Sequence, residues 1–114
     1  MVVKHANPCG VATGEDITDC FHRAFNADSL SAFGGIVALN RTCTTDIAEA
    51  LREIFIEIVL APDFEAGALE LFAKKKNLRV LEIGQLGSHE PRLEYKYVDG
   101  GLLVQEADVK IIVL

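Results

Sequence analysis

Basic charge is in short supply in this sequence: 11 Lys and Arg stand against 17 Asp and Glu, for a formal net charge of −6. Phosphate neutralisation supplies most of the affinity of nucleic-acid binders, so this balance argues against DNA or RNA as partners. A small anionic ligand stays compatible, because a pocket needs only a few local cations. Cysteine is scarce as well. Cys9, Cys20 and Cys43 are odd in number and irregular in spacing, which fits neither a disulfide framework nor a metal cluster. Long apolar runs are missing. Ile58 to Ala61 and Ile111 to Leu114 fall far below the ~20 residues that span a bilayer, so no membrane is expected. The first residues lack the basic segment and apolar stretch of a signal peptide. Repeats, low-complexity stretches and internal linkers are absent too, and a reducing cytoplasm is the expected compartment.

What remains is the composition of a globular domain. Half of the 114 residues are hydrophobic and a quarter are charged, enough for one core in a single domain over residues 1–114. A mean hydropathy of +0.25 suggests that a neighbour covers some apolar surface.

Short β-type runs alternate with helical ones. Val2-Val3 opens a strand that ends near Lys4, and Ala6 to Gly14 reads as turn, punctuated by Pro8, Gly10 and Gly14. Thr13 with Asp16 resembles a capping box. Ile17, Cys20, Phe21, Ala24 and Phe25 fall on one face of a helix. Gly34-Gly35 precedes a strand over Ile36 to Leu39. Thr44 or Thr45 caps a second helix that buries Ile47, Ala48, Leu51 and Ile54. Ile58 to Leu60 is a strand closed by Pro62, and a third helix carries Phe64, Ala68, Leu71 and Phe72. Leu78 to Ile83 is a strand and Gly84 to Arg92 a loop. Tyr95 to Val98, Leu102 to Gln105 and Val109 to Leu114 are short strands, with Asp99-Gly100-Gly101 as a turn. The pattern implies an α/β fold, a layered mixed β-sheet with flanking helices. Ending on an apolar strand suggests truncation.

Lys4-His5-Ala6-Asn7-Pro8-Cys9-Gly10 carries the densest chemistry. It lies where a strand ends, and α/β sheets place ligand sites beyond the carboxyl ends of strands. An imidazole exchanges protons near neutral pH, and an adjacent ammonium can stabilise charge developing on an oxygen. A strand end with a solvated Lys and a structural His is the plain alternative. Gly34-Gly35 suits close backbone approach to a ligand or a plain strand entry, and Glu57 a ligand contact or a solvated strand end. Lys74, Lys75, Lys76 and Arg79 form a basic cluster that could attract a phosphate or a polyglutamate tail. Cations balancing a helix C-terminus are the preferred reading.

Four segments together resemble the AICAR transformylase region of the bifunctional purine biosynthesis protein that also carries IMP cyclohydrolase. They are Lys4 to Ala12, Asp28 to Arg41, Glu57 to Pro62 and Lys74 to Leu81, and the resemblance runs from Met1 to about Lys110. It implies a multifunctional transferase of IMP biosynthesis, moving the formyl group of 10-formyltetrahydrofolate to the 5-amino group of 5-aminoimidazole-4-carboxamide ribonucleotide (AICAR). By resemblance His5 accepts the proton, and Lys4 stabilises the transition state or assists the leaving folate nitrogen. Gly34 and Glu57 match nucleotide contacts, and Asn7 and Phe33 line the same region. The implied fold is that of cytidine deaminase without its zinc. His5-Ala6-Asn7 lacks the Glu, and Pro8-Cys9-Gly10-Val11-Ala12 lacks the second Cys, that zinc deaminases use, so no metal is expected.

The resemblance further implies a homodimeric parent. This chain corresponds to the first deaminase-like half of the transformylase region, without the cyclohydrolase domain or the second half, and is expected to be inactive alone. Two alternatives compete: a non-catalytic nucleotide-binding or assembly module of the same fold, and an enzyme using Cys9 as nucleophile beside His5.

Overall fold

The computed structural model describes residues 1–87 and 92–108. A five-stranded mixed sheet forms its body. The strands are β1 (Val2–Lys4), β2 (Asn7–Gly10), β3 (Gly35–Ala38), β4 (Ile56–Ala61) and β5 (Arg79–Glu82), in spatial order β2-β1-β3-β4-β5. The β1 strand runs antiparallel to both of its neighbours, whereas β3, β4 and β5 are mutually parallel. Helices fill the connections: α1 (Ile17–Ala27) and α2 (Ser29–Ala32) precede β3, α3 (Thr45–Ala50) links β3 to β4, and α4 (Ala66–Phe72) links β4 to β5. The layered mixed sheet with flanking helices is thus the observed architecture.

The apolar periodicities account for these elements. Cys20, Phe21 and Ala24 of α1 are buried, as their spacing dictates. Ile47, Ala48 and Leu51 from the α3 region and Ala68 and Phe72 of α4 join Phe21, Val37, Val59 and Ala61 in one core. These three helices therefore share one face of the sheet. Ile36, Ile58 and Leu60 alternate with the buried positions and are half-buried, which places them on the opposite face.

Three local readings change. The segment Ala6 to Gly14 is not all turn, because Asn7–Gly10 forms β2. Pro8 hid it, yet β2 is the outermost strand beside β1, where a residue without an N–H is tolerated. Gly10 permits α1 to sit directly on β2, since a Cβ there would lie 1.8 Å from the Ala24 carbonyl oxygen. The cap of α1 is Asp16, whose carboxylate accepts from the Thr18 and Asp19 amides, and Thr13 instead offers its carbonyl to Arg23. The one-turn helix α2 follows an Asp28 cap and was not legible as a helix. Thr44 caps α3 as read, accepting from the Ile47 amide.

Two further strands, β6 (Leu93–Val98) and β7 (Gly101–Glu106), form a separate antiparallel hairpin around Asp99-Gly100. Every residue of both is exposed. Gly84 to Gly87 lie outside any helix or strand. The rest of that loop up to Pro91, and the strand expected over Val109 to Leu114, lie outside the described residues. No helix among the described residues is long and apolar enough to cross a membrane.

Candidate functional site

The Lys4–Cys9 motif is a β-hairpin. Lys4 pairs with Asn7, leaving His5-Ala6 as a two-residue turn. His5 adopts φ 56°, the left-handed region, which costs a non-glycine residue roughly 1–2 kcal/mol. Glycine is the usual occupant where such a hairpin turn needs positive φ at its first central position. Strain of this kind concentrates at functional sites. His5 and Asn7 are both exposed, and Lys4 is half-buried.

The antiparallel pairing of β1 with β3 (Val2 with Val37, Val3 with Ile36) carries Lys4 toward the start of β3. There its Nζ donates to the Phe33 carbonyl at 2.6 Å. The second motif explains why that carbonyl is in place. Asp28 accepts from the Ser31 amide at 3.0 Å and from the Ser31 hydroxyl at 2.6 Å, and these bonds hold its carboxyl below the usual carboxylate range. The resulting turn, α2, delivers Phe33 and Gly34 to the lip of the sheet. Gly34 has φ 67° and donates its N–H to the Phe55 carbonyl at 2.7 Å. A Cβ at Gly34 would lie 3.1 Å from Lys4 Nζ and 3.2 Å from the Phe55 ring. Glycine therefore satisfies both the backbone angle and the close approach.

Glu57 reaches the same end of the sheet through an irregularity. Gly35 pairs with Ile56 but Ile36 pairs with Ile58, so Glu57 is the extra residue of a bulge, a device that re-aims a side chain. Its carboxylate is exposed and stands 3.8 Å from Arg79 Nη1, too long and too solvated to contribute much to stability. A cavity of about 400 Å³ opens beside it, lined by Phe55, Glu57, Lys76, Asn77, Leu78 and Arg79. The structure thus brings Lys4, Phe33 and Gly34 into contact, with Glu57 at the neighbouring strand start, and sets His5 and Asn7 in the adjoining hairpin.

Two features were not anticipated. The site lies at the carboxyl end of β1 but at the amino ends of β3, β4 and β5, because β1 is antiparallel to them. The carboxyl ends of the parallel strands border a different cavity of about 410 Å³, whose lining includes Leu39, Leu60 and Ile83. Phe55 was also missed. Its carbonyl holds Gly34, and its ring packs on Phe33 with centroids 5.2 Å apart, but a lone aromatic before a strand gives no signal in sequence. Cys9 is half-buried, and its Sγ–H points to the Val2 carbonyl at 3.6 Å within the hairpin. Among the described residues no three His, Cys, Asp or Glu side chains could share a metal ion.

A deformed hairpin presenting Lys and His beside a glycine-built lip defines a class once the sequence is compared with known proteins. The chain belongs to the AICARFT/IMPCHase bienzyme family, which it matches over residues 1–113. It is 51% identical over 112 residues to the bifunctional purine biosynthesis protein PurH of Staphylococcus carnosus (strain TM300), across 98% of this chain and 23% of that protein. The PurH proteins of Thermoanaerobacter sp. (strain X514) and Cutibacterium acnes (strain DSM 16379 / KPA171202) are 52% and 48% identical over 108 residues, 95% of this chain in each case. The chain spans between a fifth and a quarter of the length of these relatives.

Proposed function

We propose that this chain is the catalytic-hairpin segment of an AICAR formyltransferase, acting in the cytoplasm on AICAR and 10-formyltetrahydrofolate within a homodimeric protein. In this reading the 5-amino nitrogen attacks the formyl carbon, the new C–N bond forms, and the bond to the folate nitrogen breaks. The amine is conjugated with its ring and is a poor nucleophile, so its proton must leave as attack proceeds. His5 takes that proton and, as the imidazolium, returns it to the folate nitrogen as the bond to the formyl carbon breaks. Lys4 spends one of three ammonium donors on the Phe33 carbonyl, and the others can meet the charge growing on the formyl oxygen or aid the departing folate nitrogen. Gly34, Phe33, Asn7 and Glu57 form the nucleotide's side of the site.

The observation that supports this reading best is the anchored Lys4 beside Gly34, next to a histidine held at φ 56°. A fold that needed only a turn at residue 5 would be better served by glycine. Assays of the full-length protein test it against the thiol alternative. Lys4→Met lowers formyl transfer by roughly 10²–10³, the scale of losing one oxyanion donor, and Cys9→Ser leaves it intact. The reverse pattern would establish Cys9 as the nucleophile and sink the proposal.

A further inference from the structure

The basic cluster read from sequence is not one patch. Lys74 and Lys76 are exposed, while Lys75 is half-buried. Its Nζ donates to three carbonyls: Leu51 at 2.7 Å, Arg52 at 3.0 Å and Ile54 at 2.6 Å. These belong to the end of α3 and the turn after it, where Leu51 is the C-cap. Lys75 therefore serves the C-terminus of α3, not that of α4 just before it. Carbonyls at a helix end lack partners within the helix, and an ammonium with three donors and no acceptor suits three converging oxygens. Burial draws the Lys75 pKa below its ordinary 10.5.

The turn so pinned leads directly into Phe55. The Phe55 carbonyl accepts from Gly34, its ring packs on Phe33, and the Phe33 carbonyl holds Lys4. We infer that Lys75 is a positioning residue of the formyl-transfer site: by fixing the Leu51–Ile54 turn it sets Phe55, and through Phe55 the placement of Gly34, Phe33 and Lys4. The inference rests on the reading given under Proposed function. Arginine cannot substitute, because its planar fork spreads its donors where the ammonium gathers three at one point.

The test uses the full-length protein, with Lys75→Met, Lys75→Arg, Lys74→Met and His5→Ala assayed side by side. Both Lys75 variants are expected to raise the nucleotide KM, through Gly34 and Phe33, and to lower kcat, through Lys4, so that kcat/KM falls by roughly tenfold to a hundredfold, the scale of a misplacement of about 1 Å near the chemistry. Lys74→Met should leave KM unchanged. A merely stabilising lysine gives a different split: fewer folded molecules, a lower apparent kcat and an unaltered KM, and that result overturns the inference. Amide hydrogen exchange supplies a readout independent of turnover. The Gly34 N–H should exchange faster in Lys75→Arg, which keeps the charge and the fold, and unchanged exchange also overturns the inference. If His5→Ala transfers formyl at the wild-type rate, the functional reading fails, while the exchange result still decides whether Lys75 positions Gly34.

Discussion

At the scale of single residues, His5 carries the sharpest conflict between local preference and observed conformation. Its φ of 56° is one that glycine adopts without penalty and a β-branched residue adopts worst. His5→Gly should therefore fold at least as stably as the wild type, and His5→Val should lose about 1–3 kcal/mol. Urea denaturation of the two variants measures this, and a wild type more stable than His5→Gly would show that the histidine is there for the fold. Much of this residue scale was legible. Lys4, His5, Gly34 and Glu57 could be named from motif chemistry and resemblance, and the structure shows what several of them touch. What could not be read was how they meet. The Lys4–Phe33 bond spans 29 positions of chain, and the roles of Phe55 and Lys75 depend on contacts across elements that no local pattern encodes.

At the scale of elements, the helices were readable because each buries a stripe at helical spacing, as Cys20, Phe21 and Ala24 do in α1. The strand β2 was not, because its Pro8 and Gly10 imitate turn chemistry and only its place beside β1 at the edge of the sheet makes it a strand. The bulge at Glu57 escaped for a similar reason, since register belongs to a pair of strands and not to either alone. The loops that lead into α3 and α4 meet at a bridge between Cys43 and Phe64, and this junction has a pH signature. Burial, aided by the charge of Glu65, pushes the Cys43 thiol from its ordinary 9.0 up to about 12. The unfolded chain gives up this proton first, so between those values the folded state holds more protons and stability falls as pH rises. The contribution is intact below the lower value. Chemical denaturation of the chain at about pH 8 and about pH 11 should show a steeper loss for the wild type than for Cys43→Ala. Equal losses would mean that the thiol stays accessible in the folded state.

At the scale of the whole molecule, the described residues leave apolar side chains uncovered. The hairpin β6–β7 is exposed throughout, with Tyr95 and Tyr97 at 59% and 86%, and one sheet face shows half-buried Ile36, Ile58 and Leu60. Apolar side chains left open in this way are ones that contact with other protein would cover, which is what the hydropathy of the sequence leads one to expect. The relatives are between four and five times as long as this chain, and under the proposed function the exposed His5 would need a pocket closed around it. Purified on its own, the 114-residue chain is accordingly expected to show no formyl transfer when supplied with both substrates, and sustained turnover would contradict this. The motifs revealed the family and the sheet, and the hydropathy pointed to uncovered apolar surface, but which residues carry it could not be read, because a sequence lists apolar residues without saying which of them the chain itself covers. The proposed role of His5 as proton acceptor is decided by single-turnover formyl transfer by the full-length protein, wild type beside His5→Ala. The variant should be slower by roughly 10²–10⁴, the contribution of a general base; an unchanged rate would rule His5 out and move the acid–base chemistry to another part of the protein.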